Sequence, residues 1–540
     1  MFALALAGCA GSPAAGEDEM PQPCTARAGT SHAQTIAIAN TTRFYFLHVP
    51  EAARCIPSPL WIDFHAAASD VPEEQLATDD AIAEADAEGA ILVRPRSLAG
   101  SDGVYRWDAN AGDLDRNRQF VKTLVATLEQ HYAIDPSRVI VSGFANGAEM
   151  AAQYLRGDEL PVVGIATLDG GYGDTSPTVL TRLPPRVYTA SGFRDYMTQD
   201  FAPLRDFYRA AQLADDRWYW RQGNSGHALY GWQLRELVPW LLRGERADRG
   251  TLAGGWIDAS ILTSKAILAV QATGSGVVLG ASEGGAFRAA GRGWTPVGAL
   301  PATAHVTSLC SDGAHLFAAA EMALFESGDD GSTWTQLANV PEPASGDAAW
   351  LTSLDCAADR SLLGAGLRVG VESSDHAASW QPVALRLGDR DASIATLARN
   401  ANGTAVAAGD GYLGRRPANE TFAEVTAPLA PAWWSGVAAI DDHFWAVGDG
   451  GAIVASTDDG VTWTAQPSAT GEDLYAVAFA DALTGAAVGQ HGAVVVTHDG
   501  GASWVAVPLG LDAFLGTVAW LDAKTLLVAG EHGTVVTYSF

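Results

Sequence analysis

Ser456-Thr457-Asp458-Asp459-Gly460-Val461-Thr462-Trp463 recurs in two close copies, Ser327-Gly328-Asp329-Asp330-Gly331-Ser332-Thr333-Trp334 and Thr497-His498-Asp499-Gly500-Gly501-Ala502-Ser503-Trp504. A weaker copy, Ser373-Ser374-Asp375-His376-Ala377-Ala378-Ser379-Trp380, lacks the glycine, and remnants end at Trp294 and Phe422. The closing aromatics stand at 294, 334, 380, 422, 463 and 504, spaced 40, 46, 42, 41 and 41 residues apart. Short apolar runs with Gly/Asp turns fill the intervals. That period suits one four-stranded blade of a β-propeller. The motif has a local logic, because an aspartate accepts bonds from turn amides and a glycine takes a positive φ where the chain reverses.

A further partial unit runs from Leu515 to Phe540, where Val528-Ala-Gly530-Glu-His-Gly533 echoes Val488-Gly489-Gln-His-Gly492. It lacks an outer strand, and residues near Gly255-Trp-Ile-Asp-Ala-Ser260 are placed to supply one. Seven blades is the resulting count, with six and eight as alternatives. The motif resembles the Asp-box of sialidases and related repeat proteins. In that family these turns lie away from the central channel, so the resemblance implies a structural role rather than a catalytic or calcium-binding one for Asp329, Asp458 and Asp499. The same reading covers the residues around them: Ser327, Gly331, Thr333 and Trp334; Ser456, Gly460, Thr462 and Trp463; Thr497, Gly501, Ser503 and Trp504. A sialidase site needs clustered arginines for a substrate carboxylate, and this half has nine arginines with no repeat-related set. The Val-Gly-x-x-Gly-x-Val/Ile strands before the box look closer to the propellers of photosystem II assembly factors, which implies a binding module.

Working toward the N-terminus, strands and helices alternate from residue 36 to about 244. Arg43–His48, Leu60–His65, Ala90–Val93, Arg138–Val141, Val163–Leu168 and Arg186–Thr189 read as strands. Asp115–Tyr132 reads as a helix because Phe120, Leu124, Leu128 and Tyr132 recur at helical spacing, and Gly147–Leu155 as a second one. The pattern predicts a mostly parallel sheet with helices on both faces.

Ile134-Asp-Pro-Ser-Arg-Val-Ile-Val-Ser-Gly143-Phe-Ala145-Asn-Gly147 resembles the nucleophile-elbow region of α/β-hydrolases, above all the polyhydroxybutyrate depolymerase and feruloyl-esterase-like group. Arg43-Phe-Tyr-Phe-Leu-His-Val-Pro50, Pro59-Leu-Trp-Ile-Asp-Phe-His65 and Gly226-His227 agree with it, over some 200 residues. In Gly-x-Ser-x-Gly the glycines give clearance and the serine gives the hydroxyl. Gly143 and Gly147 are in place, but Ala145 occupies the nucleophile position, and a methyl group cannot attack a carbonyl. Ser142 lies before the first glycine, away from the tip of the turn. The resemblance assigns the acid and base positions to Asp195 and His227, as a degenerate triad with Ala145. It places the oxyanion region at His65, Ala66 and Asn146, where the family's His-Gly has become His65-Ala66. Two departures in one machinery argue against ordinary esterase activity.

The chain has 540 residues, 48% hydrophobic and 18% charged, which excludes a disordered protein. Its formal net charge of -29 repels phosphate backbones and anionic lipid surfaces, so nucleic acid is excluded as a partner. Residues 1–250 carry a net of -10 and residues 251–540 a net of -19. The acidity of the second half favours cationic or neutral partners. Met1-Phe-Ala-Leu-Ala-Leu-Ala-Gly-Cys9 resembles a bacterial lipoprotein signal, which implies cleavage before Cys9 and a lipid on it; an uncleaved apolar start is the alternative. No later stretch approaches a membrane span. The four remaining cysteines allow three pairings. Cys24–Cys55 and Cys310–Cys356 are the simplest, and free buried thiols are the alternative. Cys310 and Cys356 follow the similar runs Val306-Thr-Ser-Leu309 and Leu351-Thr-Ser-Leu354 of adjacent repeats, which predicts that they face each other between blades.

The expected organisation is a multidomain chain: a signal over 1–8, a tether and N-terminal segment over 9–35, an α/β-hydrolase-like domain over 36–247 and an all-β propeller over 250–540. The expected function is an exported, lipid-anchored binding or scaffolding protein of the bacterial cell envelope or exterior. Its propeller is expected to take a protein or glycan, and its hydrolase-like pocket an ester or polysaccharide-linked ligand. No cofactor or metal is expected. The alternative is an extracellular carboxylic-ester hydrolase with a non-standard site.

Overall fold

The architecture comes from a computed structural model. It describes residues 30–38, 41–53, 56–68, 78–107, 111–156, 160–170, 186–192, 217–223, 229, 231–246, 248–261, 265–282, 285–290, 293–297, 300, 305–337, 340–341, 350–388 and 390–540. The N-terminal part is built on one eight-stranded sheet. Its strands are β1 (Thr30–Ile38), β2 (Thr41–Val49), β3 (Ser58–Phe64), β4 (Ile91–Pro95), β5 (Ile134–Phe144), β6 (Gly164–Leu168), β7 (Arg186–Gly192) and β8 (Trp218–Gly223), in the spatial order 1-2-4-3-5-6-7-8. The first three neighbours run antiparallel and β3 to β8 run parallel, β4 included. The helices α1 (Asp79–Glu88), α2 (Ala111–Glu129), α3 (Asn146–Ala152) and α4 (Gly231–Arg243) lie between the strands in sequence.

Period-two alternation sorts the buried strand residues onto two faces. Leu60, Ile62 and Phe64 of β3 join Phe120, Leu124 and Leu128 of α2 in one core, whereas Trp61 joins Ala81 and Ala85 of α1 and Leu237 and Leu241 of α4 in the other. Both faces are therefore covered, as the mainly apolar, fully buried runs of β3 and β5 require. Thr78 caps α1 by accepting from the Ala81 amide, and Gly89 ends it at φ 60°.

The elements differ from the sequence reading in detail. Helix α2 starts at Ala111 and stops at Glu129, and Tyr132 packs on the core from the turn that follows. Strand β1 begins at Thr30, six residues before the domain start read from the sequence. Its side chains alternate between exposed and half-buried, which leaves little hydrophobic signal at the edge of the sheet. Helices α1 and α4 and strand β8 were not expected either.

The C-terminal part is a seven-bladed β-propeller. Blades one to six span residues 267–296, 306–336, 350–382, 394–424, 434–465 and 474–506, each a four-stranded antiparallel meander. The seventh has three strands between Leu515 and Ser539, and its outer strand is β9 (Trp256–Asp258), which pairs antiparallel with Val536–Tyr538. The ring is closed by joining the start of the domain to its end, as the sequence predicts. In all seven blades the innermost strand carries a register shift near the start of its pairing. Opposite that shift, the second strand of five blades carries Gly366, Gly409, Gly448, Gly489 or Gly530 at or next to its end, where a Cβ would run into the carbonyl of Trp350, Ser393, Trp433, Asp473 or Phe514. Blades one and two carry Ala281 and Ala320 at the same pairing position.

Cys310 and Cys356 form a disulfide between the inner strands of blades two and three, with Cα atoms 5.7 Å apart. Inter-blade hydrogen bonds run along the same strands: the Thr307 hydroxyl donates to the Leu351 carbonyl and the Thr352 hydroxyl to the Ile394 carbonyl, each at 2.7 Å.

Candidate functional site

Strands β3 and β5 end side by side, and the chain leaves β5 through Gly143-Phe144-Ala145 into α3. Ala145 has φ 53° and ψ -121°, a conformation that side-chain-bearing residues rarely adopt. Its amide donates to the Leu168 carbonyl at 2.9 Å and its carbonyl accepts from the Ala148 amide at 2.9 Å, so the turn is held from both sides. The flanking glycines are sterically required. A Cβ at Gly143 would strike the Gly147 carbonyl, and a Cβ at Gly147 would strike the Phe64 carbonyl. The turn is a sharp strand-to-helix elbow with a methyl group at its tip.

The Ser142 hydroxyl is not presented at the tip of this turn. It is fully buried, accepts from Trp61 Nε1 at 2.7 Å and donates to Asp63 Oδ1 at 2.5 Å. The other oxygen of Asp63 is engaged by the Arg94 guanidinium. The hydroxyl is thus committed to a buried ion-pair network beneath the elbow.

The oxyanion-region candidates are brought beside Ala145, but their side chains are occupied. His65 Nε2 accepts from the Ser97 amide at 3.0 Å, so its Nδ1 carries the proton and donates to the Ala66 carbonyl at 2.6 Å. Burial pushes the His65 imidazole down to about 4, and the positive charge of nearby Arg94 acts in the same direction. It is neutral at ordinary pH and has no free N–H. The Asn146 amide donates to the Trp107 carbonyl at 3.2 Å and to Glu149 at 2.9 Å, while its oxygen accepts from the Trp107 amide at 2.6 Å. Trp107 is buried edge-on against Phe64 and donates its indole N–H to the His65 carbonyl at 3.0 Å. Ala66 is half-buried on the same loop. Asp195, His227, Cys9, Cys24 and Cys55 lie outside the described residues.

The Asp-box residues form one repeated hydrogen-bond set. In blade two the Ser327 hydroxyl donates to Asp329 and accepts from the Gly331 amide, Asp329 accepts from the amide and hydroxyl of Thr333, and the Trp334 indole donates to the Gly331 carbonyl. Ser456–Trp463 reproduces these bonds. In Thr497–Trp504 the turn bonds recur, but the Trp504 indole donates to Gln466 instead. The weak copy keeps the turn bonds with Ala377 at φ 63° in place of glycine. Donors from Thr462 and Ser503 hold the Asp458 and Asp499 carboxyls down to about 2.

The seven inner strands enclose a central cavity of about 200 Å³. Ser308, Ser353, Ser435, Thr517, Tyr475 and Phe514 are among its lining residues, and no lining residue is charged. Arginines that a carboxylate-binding site would use are engaged elsewhere in the blades: Arg399 with Asp355, Arg415 with Asp459 and Arg416 with Glu372.

Two equivalent loops of the propeller touch the N-terminal part, one at strand β8 and one at helix α4. His532 lies against the Tyr219 ring, with centroids 5.3 Å apart, and His491 meets Trp232 edge-on at 6.0 Å. Arg249 pairs with buried Glu531 at 3.4 Å and donates to the Asp512 carbonyl.

The chain spacing of His315, Glu326 and His376 predicts no site, yet the fold gathers them between blades two and three. The one signal in the sequence is that His376 occupies the box position held by Asp330 and Asp459 in two other copies.

No family model matches the chain, and no curated protein matches it. Among solved structures, it is similar to YCF48 from Cyanidioschyzon merolae, at 15% identity over 53% of this chain and 99% of that one, with a TM-score of 0.44. It is similar to a structure titled YCF48 bound to D1 peptide, at 15% identity over 55% of this chain and 99% of that one, with the same score. It is also similar to the S-formylglutathione hydrolase FrmB from Staphylococcus aureus, at 10% identity over 40% of this chain and 99% of that one, with a TM-score of 0.33.

Proposed function

We propose that this chain is an exported binding protein, anchored to the bacterial envelope by a lipid on Cys9, in which a catalytically silent α/β-hydrolase-like unit over 36–247 is joined to a propeller over 250–540 that docks a partner. The observation that carries the reading is Ala145. The elbow keeps its positive-φ tip and its two obligatory glycines while the tip bears a methyl group, and the adjacent hydroxyl of Ser142 is committed to Asp63. Holding a side-chain-bearing residue there costs on the order of 1–3 kcal/mol. A parallel sheet whose carboxyl end carries such a turn supports the α/β-hydrolase reading. The closed hydrogen bonds of His65 and Asn146 support silence, since neither side chain is left to donate to a developing oxyanion.

The propeller is read as the docking module. Its uncharged, hydroxyl-bearing cavity and its net charge of -19 over residues 251–540 favour a neutral or cationic protein segment or glycan over an anionic ligand. The hydrolase-like pocket is read as retaining affinity for an ester or polysaccharide-linked group.

An assay of the full chain with short-chain p-nitrophenyl esters and a fluorophosphonate probe tests the first part. The expected result is no turnover and no labelling in the wild type, with labelling gained on Ala145→Ser. Wild-type turnover that His227→Ala abolishes would overturn it in favour of an ester hydrolase with a non-standard site. Globomycin-sensitive processing and palmitate labelling lost on Cys9→Ala test the anchor.

A further inference from the structure

Two seams between blades place side chains at the same positions but with different chemistry. At the seam of blades four and five, the fourth box residue, Asp459, reaches back to the preceding blade. There it accepts from Arg415 on the third strand at 2.9 Å and from Thr404, just ahead of the second strand, at 2.6 Å. Asn400 completes the group at 2.6 Å. At the seam of blades two and three the same three positions carry His376, Glu326 and His315, with Asp312 in the place of Asn400. An ion pair with a hydroxyl has been exchanged for two imidazoles around one carboxylate.

The geometry of that exchange departs from an ordinary hydrogen-bonded pair. His376 Nε2 lies 2.7 Å from Glu326 Oε1, which a hydrogen bond explains. His315 Nε2 faces the same oxygen at 3.8 Å, beyond hydrogen-bond length. The three donor atoms lie within 4.8 Å of one another. In a tetrahedral zinc site with bonds of about 2.0–2.2 Å, ligand atoms stand roughly 3.3–3.6 Å apart, so small side-chain rotations bring all three onto one ion.

The surroundings hold the ligands in that arrangement. Asp312 accepts from the His315 amide at 2.7 Å and faces His315 Nδ1 at 3.3 Å, which directs Nε2 toward Glu326. A carboxylate behind a histidine in this way is the usual support of a metal-bound imidazole. His376 sits at φ 60°, a region that histidine tolerates better than most residues, and Phe317 meets its ring edge-on at 5.3 Å. The side chains of His315, Glu326 and His376 keep 20–25% of their surface exposed, so an ion reaches them from solvent.

We infer that His315, Glu326 and His376 form a binding site for one divalent transition cation of the zinc class, bridging blades two and three. The two-nitrogen, one-carboxylate donor set favours zinc over magnesium or calcium, and three protein ligands leave a fourth position for water. The site clamps the same seam that Cys310 and Cys356 join on the inner strands.

The test uses the full chain, freed of any affinity tag and stripped with a chelator. Calorimetric titration with ZnCl2 is expected to show one ion per chain, and Co2+ is expected to give the visible absorption of a low-coordinate nitrogen–oxygen site. His315→Thr and His376→Asn each weaken binding at least about 10-fold, and Asp312→Asn, acting through His315, weakens it by about 10-fold. His315→Thr copies the residue that blade four uses, and asparagine tolerates the backbone of position 376, so folding is expected to survive. Zinc is also expected to protect His315 and His376 of the wild type from diethyl pyrocarbonate, read by mass spectrometry. No stoichiometric uptake by the wild type, uptake unchanged when His315→Thr and His376→Asn are combined, or no protection would each overturn the proposal.

Discussion

Ser142 donates its hydroxyl to Asp63 across the β3–β5 pairing at 2.5 Å, three residues before the elbow tip at Ala145. The bond sits in a buried group that also holds Arg94 and Trp61, so the serine nearest the expected nucleophile position serves the sheet. Removing one partner leaves a buried charge uncompensated. Asp63→Ala is expected to destabilise the N-terminal sheet by about 3–5 kcal/mol, measured by urea denaturation with tryptophan fluorescence. Ser142→Ala should cost less, about 1–3 kcal/mol, because the ion pair itself survives.

Ala145 itself offers a test of strain. Glycine adopts φ 53° with ψ -121° without the Cβ penalty, so Ala145→Gly is expected to raise stability by about 1 kcal/mol in the same denaturation assay. A loss of stability would show that the tip is unstrained.

The glycines opposite the inner-strand shift predict the reverse behaviour. At Gly489 a Cβ would collide with the Asp473 carbonyl, a backbone atom that cannot move without breaking the blade. Gly489→Ala is expected to cost about 1–3 kcal/mol as an overpacking substitution. Ala320→Gly, at the equivalent position of blade two, should change stability by well under that amount.

The disulfide between Cys310 and Cys356 closes a segment with a sequence separation of 46 residues. Reduction, or Cys356→Ser, is expected to destabilise the propeller by about 2–4 kcal/mol. Thermal melts with and without dithiothreitol check this, and identical melts would sink it.

Two acid windows follow from the shifted groups. The Asp458 and Asp499 carboxyls are held at about 2, below the unfolded range near 4. Their contribution is complete above pH ~4 and is lost as the pH falls through about 2. His65 is held at about 4 against an unfolded value near 6.5, so its contribution is present above pH ~6.5 and is lost as the pH falls through about 4. Melts from pH 7 to 2 should show the N-terminal sheet weakening first, and Asp458→Asn should flatten only the lower window.

The propeller was legible because its signal is local and repeated. The turn bonds of each Asp-box close within eight residues, so Ser456 to Trp463 announces the same turn wherever it stands. The closing strand was readable too, since the incomplete unit at Leu515–Phe540 demanded one and Trp256–Asp258 supplied it. Strand β1 and helices α1 and α4 were less readable. Thr30–Ile38 gains its structure from pairing with β2 rather than from an apolar pattern of its own.

By itself, the sequence determined the blade repeat through a period of about forty residues, and the absence of a hydroxyl at Ala145 through one letter. Both are properties of a residue and its near neighbours. Tertiary structure alone decided that Ser142 is spent on Asp63, that the His65 imidazole is neutral and fully bonded, and that His315, Glu326 and His376 meet. Those residues lie 79, 32 and up to 61 positions from the partners that define them, and only the packing of strands and blades brings such distances within a few ångströms.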